Sequence, residues 1–187
     1  MPYGIIALRN RDPFALPSVT HAGPALPFVT RKRPRALWIS PLRPYLPGMA
    51  SHALRLLLVD DDPTTTLALG AGLEHQGAIR VHAAASGEEA LEAFERATWD
   101  AVATDLMMPG IDGIELIRQL RALDPSIPLF LFTGSASIRK AVEGIQAGAT
   151  DFLPKPVDAE AFHILLHKAV DERMMMEEVA LERMRRS

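Results

Sequence analysis

Two stretches of this chain, Leu54–Val59 and residues 128–132, are apolar at nearly every position, with Arg55 the only charge in either. A strand sends successive side chains to opposite faces, so an unbroken apolar run needs cover on both sides. That requirement points to a parallel sheet sandwiched between helices. The neighbouring segments fit. Leu54–Val59 ends in Asp60-Asp61-Asp62-Pro63, where Asp62 suits an N-cap and Pro63 the first helical position. Helix is predicted from there to about His75, with Leu69 and Leu73 on one face. Residues 78–83 alternate Ile79, Val81 and Ala83 with Arg80 and His82, the period of a half-exposed edge strand. Ser86-Gly87-Glu88-Glu89 reads as a capping box for a helix carrying Leu91 and Phe94.

Residues 99–104 predict a third strand that reaches Asp105, and Asp112 caps a helix with Ile114, Ile117 and Leu120. The fourth strand, 128–132, ends at Thr133, and a helix over 137–147 stops at Gly148. A short fifth strand, 150–153, precedes Pro154-Lys155-Pro156, and Asp158 caps a last helix to at least Val170. Five strands alternating with five helices give an α/β class: a doubly wound, five-stranded parallel sheet of flavodoxin-like type. Strand order 2-1-3-4-5 places the alternating second strand at an edge.

This pattern begins at residue 53. Residues 1–48 hold 9 of the 15 prolines and seven basic residues against the single acid Asp12, a net of +6, whereas residues 49–187 carry −9. A basic, Pro-rich segment without hydrophobic period reads as a disordered leader over 1–52. The sequence Met49-Ala-Ser-His-Ala-Leu-Arg lies just ahead of the first strand, and composition favours initiation at Met49. Intact-mass measurement of the natively expressed protein is then expected to show Met49 or Ala50 first; an N-terminus at residue 1 or 2 contradicts it. The chain has no cysteine, which excludes disulfide scaffolds, Cys-ligated zinc and thiol catalysis. No apolar run approaches the roughly 20 residues of a membrane span.

Ligands of open α/β sheets bind at the carboxyl ends of the strands. Asp60 and Asp61, Asp105, Thr133 and Lys155 follow strands 1, 3, 4 and 5, so three carboxylates, a hydroxyl and an ammonium are expected on one rim. Clustered carboxylates repel unless a cation joins them. Mg²⁺ suits such a site, because it takes few carboxylates and completes its shell with water and phosphate oxygens. A phosphoryl group on Asp105 would be bridged by the ion, with Lys155 neutralising one oxygen and Thr133 donating to another.

Four motifs carry a family resemblance: Leu-Leu-Leu-Val-Asp60-Asp61-Asp62-Pro63; Asp105-Leu-Met-Met108-Pro109-Gly-Ile-Asp112-Gly113; Leu-Phe-Leu-Phe-Thr133-Gly134; and Ala147-Gly148-Ala149-Thr-Asp-Phe152-Leu-Pro-Lys155-Pro156. In that order, residues 53–172 resemble the receiver domain of bacterial two-component response regulators, a chemotaxis-regulator-like fold. The resemblance implies a cytoplasmic, non-enzymatic phosphoacceptor that promotes only its own phosphotransfer and autodephosphorylation. Asp105 would take the phosphoryl group from the phosphohistidine of a sensor histidine kinase or phosphotransfer protein. Asp60, Asp61, Asp105 and the Met107 carbonyl would hold Mg²⁺, Asp61 directly. Thr133 and Phe152 would be the switch pair, and Lys155, before a cis Pro156, would contact the phosphate. Gly134 would leave the acyl phosphate unblocked. Met107 and Ser135 fall where family members tune dephosphorylation, and a bulky Met107 implies a long-lived phosphoryl state.

The rival reading is a haloacid-dehalogenase-type phosphatase, with Asp60 as nucleophile and Asp62 as general acid. It needs an acidic motif after the lysine that Asp158 and Asp171 do not provide, and leaves Asp105 unexplained. His163 and His167, four apart, read as packed or exposed histidines rather than a metal pair, for want of a third ligand. The resemblance implies output through helix 4, strand 5 and helix 5, by partner binding or homodimerisation. Residues 173–187 read either as a frayed end of the last helix or as a coiled-coil stub. No membrane contact and no direct nucleic-acid binding are expected. Kinase, signal and target are not legible.

Overall fold

A computed structural model describes residues 53–134 and 138–186. The 1–52 leader, Met49, Ser135 and Ser137 lie outside the described residues. The elements run β1 (Leu54–Val59), α1 (Pro63–His75), β2 (Ile79–Ala84), α2 (Gly87–Arg96), β3 (Ala101–Asp105), α3 (Gly113–Leu123), β4 (Leu129–Thr133), α4 (Ile138–Ala147), β5 (Asp151–Pro154) and α5 (Ala159–Arg185). All strand pairs are parallel and the sheet order is β2-β1-β3-β4-β5, as the sequence pattern requires.

The unbroken apolar strands are covered on both faces. Leu57, Val59, Val102, Leu129 and Leu131 pack under Ala90 and Phe94 of α2 and Ile114, Ile117 and Leu120 of α3. On the other face Leu56, Leu58, Ala103, Phe130 and Phe132 pack under Leu69 and Leu73 of α1 and Phe162, Leu166 and Val170 of α5. The Phe162 ring stands edge-on to Phe130 and Phe132, with centroids 5.1 and 5.2 Å away, a favoured aromatic geometry.

Helix starts follow the caps read from sequence. Asp62, Asp112 and Asp158 accept from the amides of Thr64, Glu115 and Ala161. The capping box at α2 differs in one half. Ser86 Oγ accepts from the Glu89 amide, but the Glu89 carboxylate accepts from the Ala85 amide, 2.8 Å away, rather than from Ser86. In β2 the alternation fades at its end, where Ala83 is exposed and Ala84 buried; Ala84 belongs to the core under α2 and α3. Trp99 lies ahead of β3, its indole N–H donating to the Ala93 carbonyl, so β3 begins two residues later than the apolar run suggests.

Gly113 opens α3 against the sheet rim. A Cβ there would collide with the main-chain oxygen of Asp105 and approach Leu131 Cδ1 to 2.9 Å, whereas a Cβ at Gly134 would meet none of the described residues within 4 Å. Gly113→Ala is therefore expected to lower stability by about 1–3 kcal/mol and Gly134→Ala by less than about 0.5 kcal/mol. Urea unfolding of the two variants checks the contrast.

Candidate functional site

Four of the five strands bring polar groups to the carboxyl rim. Asp60 follows β1, Asp105 and Thr133 are the last residues of β3 and β4, and Lys155 follows β5. Asp60, Asp105 and Thr133 are buried and Asp61 is exposed. The backbone fixes these positions: the Lys155 amide donates to the Thr133 carbonyl, the Leu106 amide to Phe132, and the Gly113 amide to Leu106. The Lys155–Pro156 bond is cis, as the resemblance implied.

The side chains converge. Lys155 Nζ donates to Asp60 Oδ2 at 2.6 Å and lies 2.9 Å from Asp105 Oδ1. The other Asp60 oxygen accepts from the Asp62 amide at 2.9 Å. Partial burial pulls the Lys155 ammonium down, but its hydrogen bonds to Asp60 and Asp105, with their charges, outweigh it and hold the group above its ordinary range. Oxygens of Asp60, Asp61 and Asp105 lie within 4.8 Å of one another. An all-carboxylate donor set fits a hard divalent cation such as Mg²⁺. Among the described residues this is the only group of three or more potential metal ligands so disposed. One ammonium among three carboxylates leaves a net charge of −2 to attract that cation.

The predicted periphery is placed as follows. Phe152 on β5 is 42% exposed, so its ring faces outward here. Met107 is exposed, and its thioether accepts from Lys140 Nζ at 3.1 Å, linking the loop after β3 to α4. Ser135 lies outside the described residues. The Asp62 carboxylate is occupied by the Thr64 amide and the Thr65 hydroxyl, and Asp158 by the Ala161 amide. Both act as helix caps, which removes the general acid and the late acidic motif that the phosphatase reading needs.

The His163 and His167 rings lie with centroids 4.5 Å apart, tilted by 54°. Burial first, then the neighbouring His163, hold His167 below the usual histidine range. Glu88 was not singled out from sequence. Its carboxylate accepts from the Ile111 amide at 3.2 Å and so braces the loop after Asp105. Only the turn glycine Gly110, with φ +74°, hinted at a constrained loop; the contact of Ile111 with Glu88, 23 positions apart, could not be read.

The raised Lys155 sets a pH expectation. Its contribution to stability is full below the ordinary lysine value of 10.5 and is lost as pH climbs through the higher folded-state value. Alkaline urea titrations without divalent cation are expected to show a loss of stability above that point that is diminished in Lys155→Gln. An unchanged alkaline profile in the variant contradicts the raised value.

The family model for the response regulator receiver domain matches residues 56–167. The response regulator MprA of Mycobacterium leprae is 41% identical over 107 residues, 57% of this chain and 46% of that protein. The transcriptional regulatory protein ZraR of Klebsiella oxytoca is 34% identical over 134 residues, 72% of this chain and 30% of that protein. The chain thus spans less than half the length of either relative. Among solved structures, a response regulator receiver domain protein from Clostridium thermocellum superposes with a TM-score of 0.62 at 27% identity, covering 66% of this chain and 98% of that one. The beryllofluoride-activated NtrC4 receiver domain dimer gives 0.60 at 31% identity, covering 64% and 98%.

Proposed function

The chain belongs to the response regulator receiver domain family, and from that premise we propose that residues 53–172 form a phosphorylation-activated switch with Asp105 as phosphoacceptor. The observation that carries this reading is the Lys155 ammonium bridging Asp60 and Asp105 on one rim with Asp61. Asp60, Asp61, Asp105 and the Met107 carbonyl would hold Mg²⁺, and a divalent ion there would supply positive charge against the carboxylates and the phosphoryl oxygens.

An Asp105 oxygen attacks phosphorus, and the P–N bond to the donor's imidazole breaks as the P–O bond forms. Formation of the acyl phosphate, a mixed anhydride, removes the negative charge of the Asp105 carboxylate, so Lys155 exchanges one carboxylate partner for a phosphoryl oxygen while keeping Asp60. The Thr133 hydroxyl donates to a second oxygen. The outward Phe152 ring follows Thr133 inward, biasing an existing equilibrium of the α4–β5–α5 face. Apart from this self-directed transfer and the later hydrolysis of the acyl phosphate, which releases inorganic phosphate and restores the Asp105 carboxylate, the domain has no catalytic role.

The phosphodonor is a sensor histidine kinase or phosphotransfer protein, in the cytoplasm, and a homodimer or partner complex reads out the state. No helix among the described residues is long and apolar enough to cross a membrane. ZraR and GlrR are named transcriptional regulatory proteins, so the expectation of no direct nucleic-acid contact gains no support from the relatives.

Acetyl phosphate with Mg²⁺ is expected to label the wild-type chain, and Asp105→Asn or chelation to abolish labelling; full labelling of the variant overturns the assignment. The bulky Met107, two residues beyond Asp105, favours a long-lived acyl phosphate, and a half-life of seconds in the purified protein contradicts that.

A further inference from the structure

The last turns of α5 have two unlike faces. On the inner face Arg173, Met174, Glu177 and Leu181 are partly buried. Arg173 pairs with Asp124 at 2.8 Å and with Glu177 at 2.9 Å, and Glu177 accepts from the Ser126 hydroxyl at 3.3 Å. These contacts tie the helix to the turn between α3 and β4. At 100° per residue the opposite face carries Glu172, Met175, Met176, Val179, Ala180 and Arg183, all exposed. Met175 and Met176 are 65% and 73% exposed and Val179 49%. Four adjacent apolar side chains on a helix that is otherwise anchored form a surface in want of a partner.

The charges say which partner. Residues 171–178 hold Asp171, Glu172, Glu177 and Glu178 against Arg173; residues 179–186 hold Arg183, Arg185 and Arg186 against Glu182. The segment is acidic in its first half and basic in its second, so it complements itself only when reversed. Parallel pairing would set Glu172 against Glu172 and Arg183 against Arg183 along the seam, which is unfavourable.

We propose that this outer face of α5 is a self-association surface on which a second copy of the chain lays its own α5 antiparallel. Met176 meets the partner's Val179, Met175 meets the partner's Ala180, and Glu172 faces the partner's Arg183 at each end. Because the face points away from the sheet of its own chain, the two bodies lie on opposite sides of the helix pair and do not collide. The pairing does not depend on phosphorylation and stands apart from the α4–β5–α5 readout.

The absence of cysteine allows a direct test in the full chain. Glu172→Cys and Arg183→Cys chains are oxidised separately and as a mixture. In the antiparallel pair residue 172 lies against 183, while two copies of residue 172 are about 16 Å apart along the axis, too far for a disulfide. A disulfide-linked dimer from the mixture, and a monomer from either variant alone, is expected. Dimers from each variant alone would establish parallel pairing and overturn the proposal. Absence of any cross-link, with a monomer mass in sedimentation of the wild type across a concentration series, would also overturn it. As a second arm, Met176→Glu with Val179→Glu is expected to lose the wild-type dimer while keeping its circular dichroism; an unchanged dimer assigns self-association to another surface and overturns the proposal.

Discussion

Lys155 reaches from the end of β5 past β4 to the carboxylates at the ends of β3 and β1, at 2.9 and 2.6 Å. This ion-paired bridge is the contact on which the rest of the rim depends. Asp60 is almost wholly buried, and a buried carboxylate without a partner is costly. The ammonium and the Asp62 amide make that burial tolerable. The same ammonium offsets only part of the local negative charge, so the site remains attractive to a divalent cation. Stability and chemistry therefore use one lysine, and modification of Asp105 must redistribute its bonds.

The sheet exists to hold these groups at that distance. Apolar strands packed on both faces form a rigid platform, and the rim groups sit at strand ends or one residue beyond, where backbone hydrogen bonds fix the main chain. Gly113 lets α3 start directly against the Asp105 carbonyl, and Glu88 braces the loop between them. Those two constraints hold the loop after Asp105 at its other end. Lys140 on Met107 adds a contact from α4 to the same loop.

Most of this architecture was legible because its signals are local. Strand ends marked by aspartate, caps at Asp62, Asp112 and Asp158, and the period of each helix are properties of a few adjacent residues. Asp60, Asp61, Asp105, Thr133 and Lys155 stood out as polar groups following apolar runs. What escaped depends on contacts distant in sequence. The shift of Glu89 to the Ala85 amide, the grip of Glu88 on Ile111 and the anchoring of Arg173 to Asp124 follow from how loops lie in space. The unbroken course of α5 to Arg185 decides between the frayed end and the continuous helix read for residues 173–187, and it rests on distant contacts such as that of Glu177 with Ser126.

Borohydride reduction after reaction with a small-molecule phosphodonor and Mg²⁺ tests the central claim most directly. An acyl phosphate is reduced to the alcohol, and peptide mass spectrometry locates the residue that carried it. The account predicts homoserine at position 105 and nowhere else. Reduction at Asp60, or at no carboxylate, would contradict it.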